Sequence, residues 1–187
     1  MILVHGRGGT AVSILDMAHD FPHAEMAYVA PQAYQNTWYP FSFLAPIQQN
    51  EPGLSSGLAK VGGLFQMIQD TGIPAEKIIL GGFSQGACLA SEFLARNPQR
   101  IGGLLVFSGG VIGPLDMPRM DSGDLQGTPI FIGCSDVDFH IPVKRVHETA
   151  EIFEKLGGVV NKQIYPGMAH AIIQDEIDQA MKIVEQV

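Results

Sequence analysis

Short apolar runs of strand length alternate with helical segments along nearly the whole chain. The apolar runs predict strands at 2–4, 27–30, 78–80, 104–107 and 129–133, and a further strand is predicted at 159–165. Apolar residues spaced three or four apart predict helices at 10–19, 55–71, 87–96, 143–156 and 172–187. Because strand, helix and strand in succession form a crossover between parallel strands, the alternation indicates an α/β fold, a mostly parallel sheet with helices on both faces.

Length and composition indicate one globular domain that covers residues 1–187. The chain is 46% hydrophobic and only 16% charged, which excludes intrinsic disorder. Its two cysteines, Cys88 and Cys134, are too few for a disulfide framework or a thiolate zinc site, so we expect reduced thiols.

The charge balance argues against nucleic acid as a partner. Eleven basic and nineteen acidic side chains give a net charge of −8, which repels polyphosphates and anionic membrane surfaces. The longest uncharged stretch, 26–50, contains three prolines and is not a continuous membrane-spanning helix. Before His5 the chain has neither a basic segment nor an apolar run of signal-peptide length, which predicts a cytoplasmic location.

The segment Gly82-Phe83-Ser84-Gln85-Gly86 matches G-x-S-x-G, the pattern of a nucleophilic serine on a tight strand-to-helix turn. A predicted strand precedes Ser84 and a predicted helix follows it, so we expect its hydroxyl at the carboxyl edge of the sheet. A serine that only caps a helix does not need glycine on both sides. A second match, Gly53-Leu54-Ser55-Ser56-Gly57, follows no strand, and Ser55 or Ser56 is interpreted as a helix cap.

A nucleophilic serine needs a histidine base, and in this topology the base lies downstream. The candidates are His140, His147 and His170. His147 falls within a predicted amphipathic helix, where a solvated side chain is expected. His170 ends a loop that leaves a predicted strand, at the edge where Ser84 stands, and is therefore favoured over His140.

The base in turn needs an acid that holds its tautomer. Asp116, Asp121 and Asp124 lie in a Pro- and Gly-containing loop, whereas Asp136 and Asp138 directly follow a predicted strand. Asp136 could simply form a turn. We favour Asp138, because the nearby Ile141-Pro142 fixes where the next helix begins.

Acyl transfer also needs two backbone N–H groups that stabilise the oxyanion. Gln85, directly after the serine, and Arg7, in the loop after the first strand, are the expected donors. The glycines in Gly6-Arg7-Gly8-Gly9 permit a close backbone approach. A glycine-rich turn can also bind phosphate, but this one lacks both the G-x-G-x-x-G spacing and the P-loop lysine.

Taken together, four motifs resemble those of the phospholipase/carboxylesterase family of α/β-hydrolases, which includes the acyl-protein thioesterases. They are His5-Gly6-Arg7-Gly8, Gly81-Gly82-Phe83-Ser84-Gln85-Gly86, Asp138-Phe139-His140-Ile141-Pro142 and Gly167-Met168-Ala169-His170. The resemblance implies an α/β-hydrolase fold, a triad of Ser84, Asp138 and His170, and the Arg7 and Gln85 amides as oxyanion donors.

Two features depart from the family pattern. Ala87 stands where the family often has a further glycine, and the strands usually found before the H-G motif are missing. Either Met1 is a natural start with a trimmed sheet, or an N-terminal hairpin precedes this sequence in the whole protein.

The aromatic stretch around Trp38-Tyr39-Pro40-Phe41 and Phe43-Leu44 resembles the family segment that walls the acyl pocket, although core packing is the simpler alternative. We expect Trp38, Tyr39 and Phe41 to contact substrate. No large inserted lid is evident, which favours a compact molecule with a shallow groove for short or medium acyl chains.

The leading hypothesis is a serine carboxylesterase that hydrolyses short to medium acyl esters through an acyl-enzyme. Two alternatives remain open, an acyl thioesterase or lysophospholipase acting on longer chains and a non-catalytic ligand-binding relative. A Cys88 or Cys134 nucleophile is less favoured, because Ser84 holds the turn. We expect no cofactor and no metal, since His140, His147 and nearby carboxylates show no recognised ligand spacing. An exposed sheet edge or the aromatic loop could support a homodimer.

Overall fold

A computed structural model describes residues 1–187 as a parallel sheet of five strands. The strands are β1 (Ile2–Val4), β2 (Ile79–Phe83), β3 (Gly103–Phe107), β4 (Pro129–Ser135) and β5 (Val159–Tyr165). Their order across the sheet follows their order in the chain, and every neighbouring pair is parallel. The predicted α/β class is confirmed.

Helices cover both faces of the sheet. They are α1 (Ala11–Leu15), α2 (Gly53–Asp70), α3 (Gln85–Arg96), α4 (Val143–Lys155) and α5 (Gln174–Val184). Side chains alternate along each strand, so that Leu80 joins the hydrophobic cluster packed under α2, α3 and α4, while Ile79 joins the one under α1 and α5. The two clusters contain 32 and 12 buried residues, so the three-helix face carries most of the core.

The predicted strand at 27–30 is reduced to one bridge. Val29 donates to the carbonyl of Met1 and accepts from the N–H of Leu3, at 3.0 and 2.9 Å, and no regular strand forms around it. Pro31 follows two residues later and has no N–H to donate, which prevents the ladder from continuing.

The start of α2 also differs from the prediction. Ser55 and Ser56 lie inside the first turn rather than at the cap, because the helix begins at Gly53. The carboxylate of Glu51 instead accepts hydrogen bonds from the backbone N–H and the hydroxyl of Ser55. A carboxylate at this end of a helix satisfies a free N–H and suits the helix dipole.

Parallel strands bring their carboxyl ends to one edge of the sheet, where the loops after β1, β2, β4 and β5 gather. This edge carries the residues described below. None of the helices is both long and apolar enough to cross a membrane.

Candidate active site

Ser84 occupies a strained turn between β2 and α3. Its φ of 54° and ψ of −118° lie in a region that residues with a side chain seldom adopt. The backbone N–H of Ser84 donates to the carbonyl oxygen of Phe107 at 3.0 Å. The carbonyl oxygen of Ser84 accepts from the N–H of Cys88, also at 3.0 Å. The turn is thereby tied to β3 on one side and to α3 on the other.

The glycines of the G-x-S-x-G motif allow α3 to approach the sheet closely. A Cβ at Gly86 would lie 2.0 Å from the carbonyl oxygen of Val4, well inside van der Waals contact. A Cβ at Gly82 would lie 2.6 Å from the carbonyl carbon of Gly86. Only glycine fits at these two positions, so the motif follows from packing as much as from chemistry.

His170 bridges Ser84 and Asp138. Its Nε2 lies 2.9 Å from the Ser84 Oγ, and its Nδ1 lies 2.6 Å from the Asp138 Oδ2. A carboxylate only accepts hydrogen bonds, so Nδ1 carries the hydrogen and the Nε2 lone pair accepts from the serine hydroxyl. This is the tautomer that lets an imidazole take a proton from a serine.

Asp138 is held as a carboxylate by its neighbours. Its Oδ1 accepts from the backbone N–H of His140 and Ile141, at 2.8 and 3.1 Å. Burial acts to raise the pKa of Asp138, but the bonds from His170, His140 and Ile141 outweigh it and lower that pKa below its ordinary value. The buried carboxyl is therefore ionised and points at the imidazole.

Asp136 is placed in a different role. Its Oδ1 accepts from the backbone N–H of Gly167 at 2.8 Å and so ties the loop after β4 to the loop that carries His170. It bonds across two loops rather than within its own turn.

The two remaining candidate histidines do not contact Ser84. His140 is exposed and packs edge-on against His170, with ring centroids 4.8 Å apart, and the Phe83 ring also contacts His170, at 4.9 Å between centroids. His147 is exposed on α4.

The two expected oxyanion donors stand next to Ser84. Gln85 is the first residue of α3, where N–H groups have no partner within the helix. In the loop after β1, a Cβ at Gly6 would lie 3.4 Å from the Ser84 Cβ, and the N–H of the adjoining Arg7 has no backbone acceptor. Two N–H groups at one serine provide the elements of an anion site.

The side chain of Arg7 holds the aromatic segment in place. Its guanidinium donates to the carbonyls of Tyr39, Pro40 and Phe41, at 2.9, 3.0 and 2.8 Å. Asn50, fully buried, accepts from the N–H of Phe41 at 2.9 Å and donates to the carbonyl of Ser42 at 2.9 Å. Sequence reasoning missed both roles, because a side chain that bonds a distant backbone leaves no local pattern.

The structure corrects the place expected for Trp38. Its indole is buried, packs against the His5 ring with centroids 4.9 Å apart and donates through Nε1 to the His5 carbonyl at 2.8 Å. Trp38 does not line the cavity at Ser84, whereas Tyr39 and Phe41 do.

That cavity has a volume of about 280 Å³. Phe43, from the aromatic stretch predicted to wall the pocket, lines it, and so do Cys88 and Ile141, for which no substrate contact was predicted. Cys88 could have been found, because it follows Ser84 by four residues and therefore lies on the same helix face. Burial raises the pKa of the Cys88 thiol, and that of Cys134, to about 12. Both thiols are neutral and therefore poor nucleophiles.

No group of three or more histidine, cysteine, aspartate or glutamate side chains is arranged to hold a metal ion. The parallel sheet, with a serine raised on the turn between a strand and a helix at its carboxyl edge, places the chain among the α/β-hydrolases.

Comparison with known proteins identifies the family within this class. Residues 1–187 match the sequence model of the Phospholipase/Carboxylesterase family. The chain therefore belongs to the phospholipase/carboxylesterase family, whose named relatives are hydrolases.

Several relatives are similar over most of the chain. The crystal structure of a phospholipase/carboxylesterase from Dyadobacter fermentans is 44% identical, with a TM-score of 0.94 over 98% of this chain and 88% of that one. A Bacillus cereus carboxylesterase, 16% identical with a TM-score of 0.75 over 100% of this chain and 87% of that one, shares the fold.

Acyl-protein thioesterase 1 of Debaryomyces hansenii is 35% identical over 126 residues, which are 65% of this chain and 53% of that protein. The Saccharomyces cerevisiae protein of the same name is 33% identical over 63% of this chain and 52% of its own length. The match thus spans about half the length of these yeast relatives.

Proposed function

We propose that this protein is a serine carboxylesterase that hydrolyses short to medium acyl esters with Ser84 as nucleophile. The observation that carries the proposal is the continuous hydrogen-bonded chain from the Ser84 hydroxyl through His170 to Asp138. A serine that merely caps a helix or packs in a core has no need of such a partner.

In the first step the Ser84 Oγ attacks the ester carbonyl carbon. The hydroxyl proton passes to His170 Nε2, and Asp138 stabilises the imidazolium that forms. The backbone N–H groups of Arg7 and Gln85 donate to the developing oxyanion. When the tetrahedral intermediate collapses, the bond to the leaving oxygen breaks, and that oxygen takes the proton from Nε2.

The second step releases the acyl group. Water enters where the alcohol has left, gives a proton to His170 Nε2 and attacks the acyl carbon. The bond between this carbon and the Ser84 Oγ breaks, and Oγ recovers its proton from Nε2. No electron transfer and no co-substrate other than water are needed, so the chain's own residues suffice.

The second candidate is hydrolysis of acyl thioesters. The name of the yeast relatives, acyl-protein thioesterase 1, favours it. The same residues serve, because sulfur simply replaces the leaving oxygen. Matched oxygen and sulfur esters of one acyl group and one leaving chain would separate the two functions by their ratio of kcat/KM.

The test uses p-nitrophenyl acetate with wild-type protein, Ser84→Ala and His170→Ala. We expect both variants to lose at least about a thousandfold in kcat while keeping the wild-type circular dichroism spectrum. Ser55→Ala is the matched control, since Ser55 sits in the second G-x-S-x-G match but lies in the first turn of α2. A folded Ser84→Ala variant with near-normal turnover would refute the proposal. If a serine-directed fluorophosphonate fails to label Ser84, the result would instead favour a non-catalytic, ligand-binding protein.

A further inference from the structure

Ser84 stands between two cavities of different size. The first, here called the aromatic-loop cavity, has the volume of about 280 Å³ given above. The second, here called the α1 cavity, has a volume of about 430 Å³ and is lined among others by His5, Ser13, Ile14, Met17 and Ile172. Arg7, Ser84 and His140 line both. A substrate bound at the Ser84 hydroxyl can therefore extend in two directions.

The position of His170 decides which part of an ester takes which direction. His170 lines the α1 cavity but not the aromatic-loop cavity. The imidazolium must give its Nε2 proton to the departing atom, so that atom lies on the side of His170. The acyl chain, bonded to the same carbon, then points away from His170.

We propose that the α1 cavity binds the alcohol or thiol part of the substrate and the aromatic-loop cavity binds its acyl part. This inference rests on the proposed function. It adds that the substrate class is an ester or thioester of a small acyl group with a larger, uncharged and largely apolar leaving group.

The lining of the α1 cavity supports an uncharged, apolar leaving group. Ile14, Met17, Phe83 and Ile172 provide apolar surface, and Met17 adapts easily to different shapes. No aspartate, glutamate or lysine lines the cavity. The guanidinium of Arg7 is already occupied by three backbone carbonyls. A cationic leaving group would lose its hydration there without meeting a carboxylate. An anionic one would meet, besides Arg7, only the imidazoles of His5, His140 and His170.

The aromatic-loop cavity is suited to a limited acyl length. Tyr39, Phe43, Cys88 and Ile141, which line it, are all buried and part of the packed core. The loop above them is fixed through the bonds of Arg7, Gln85 and Asn50 to its backbone. A wall held at several points does not yield to a longer chain at low cost.

The experiment measures kcat/KM for two ester series. One is p-nitrophenyl esters from acetate to palmitate, which varies the acyl chain. The other is acetates of primary alcohols from ethanol to octanol, followed by proton release, which varies the leaving group at nearly constant basicity. For the wild type we expect kcat/KM to rise at least tenfold from ethyl to octyl acetate and to fall at least tenfold from butyrate to palmitate.

Two variants and a control locate the binding sites. Met17→Ala is expected to lower kcat/KM for octyl acetate at least fivefold and to change the acyl profile less than twofold. Phe43→Ala is expected to raise kcat/KM for the longer acyl esters relative to acetate, and to leave kcat/KM for the alcohol series within twofold of the wild type. Met120→Ala, at a methionine that is 96% exposed, is expected to keep both profiles. Circular dichroism and thermal melting establish that each variant is folded.

Three results would overturn the inference. Met17→Ala could change the acyl profile and Phe43→Ala the alcohol profile, neither variant could change either profile, or the wild type could prefer palmitate to butyrate. Failure of the proposed function has a different signature, because the wild type would then neither hydrolyse p-nitrophenyl acetate nor be labelled at Ser84. Hydrolysis and labelling with the wrong profiles would refute only the cavity assignment.

Discussion

The carboxamide of Gln85 donates to the carbonyl oxygen of Tyr39 at 2.8 Å. Its oxygen accepts from the neighbouring N–H of Trp38 at 3.0 Å. The residue whose backbone N–H is proposed to stabilise the oxyanion therefore also fixes the wall of the aromatic-loop cavity with its side chain. In the proposed mechanism, the geometry at the reacting carbon and the shape of the proposed acyl pocket are thus linked through one residue.

Gln85→Met tests this link, because methionine has a similar length but can replace neither hydrogen bond. We expect the free energy of unfolding to fall by about 1–3 kcal/mol, since the buried backbone N–H of Trp38 loses its acceptor. The preference among p-nitrophenyl acyl esters is expected to weaken as the wall loosens. Urea denaturation and the acyl profile are the measurements. A variant with wild-type selectivity would show that the wall does not depend on this side chain.

Asp138→Asn is expected to lower kcat by about 10³–10⁴-fold at pH 7 with little change in fold. The amide can donate to His170 Nδ1 and so favours the tautomer in which Nε2 carries the hydrogen and cannot accept from Ser84. Asp136→Asn is the matched control. Its Oδ1 can still accept from the Gly167 N–H, and we expect less than a tenfold loss. Equal losses in the two variants would contradict the assignment of the acid.

Glu176 is expected to make the protein less stable as pH rises. It is fully buried with Oε1 unpartnered, and burial raises its pKa from 4.5 to about 7, against the opposing bond from the Ile173 N–H. The folded state thus binds this proton more tightly than the unfolded state does. The stabilisation that comes from the more tightly held Glu176 proton is complete below about pH 4.5. It is lost as pH rises through about 7, and the total loss in the free energy of unfolding is about 3 kcal/mol.

Glu176→Gln removes the titration and should flatten that part of the pH profile. We expect the free energy of unfolding of the variant, minus that of the wild type, to be larger at pH 8 than at pH 5. Urea denaturation at both pH values measures the difference. The same difference at pH 5 and pH 8 would mean that Glu176 does not titrate in this range.

Two glycines provide opposite predictions for the same substitution. Gly86→Ala should destabilise the fold by more than about 3 kcal/mol or prevent folding, because its Cβ would overlap the Val4 carbonyl at 2.0 Å. Gly63 is exposed in the middle of α2, and a Cβ there would meet nothing within 4 Å. Gly63→Ala should stabilise by about 0.5–1 kcal/mol through helix propensity. Thermal melting compares them, and a neutral Gly86→Ala would refute the close-packing argument.

The sequence predicted best where the signal is local. β1 and β5 have the predicted bounds. β1 is an uninterrupted apolar run, and β5, which has polar residues in its middle, lies between the breaks Gly157-Gly158 and Pro166-Gly167. Val29 forms only a bridge, because its pairing depends on a neighbour far along the chain and Pro31 ends it. The cap predicted for α2 was wrong although the contact is local, because the Glu51 carboxylate accepts from Ser55, four residues on, and the helix already begins at Gly53.

The site divides in the same way. Ser84, Asp138 and His170 each follow a strand in a recognisable motif, and the structure brings the three together, while their catalytic role stays a prediction. Trp38 was expected in the pocket because it is aromatic, but its Nε1 bond to His5 turns it away. The side-chain roles of Arg7, Gln85 and Asn50 escaped prediction, since each acts on backbone eight to 47 residues away.

The hydrogen bonds from Arg7 to three successive carbonyls constrain how such an enzyme could diversify. Insertions or deletions at 39–41 would displace the guanidinium and with it the loop that stands beside Ser84, so the length of this segment is tied to reactivity. The exposed side chain of Phe41 lines the cavity and takes no part in these bonds. A point substitution at Phe41 can therefore change the shape of the cavity while the backbone beside Ser84 stays in place, whereas a change in the length of the loop would displace both.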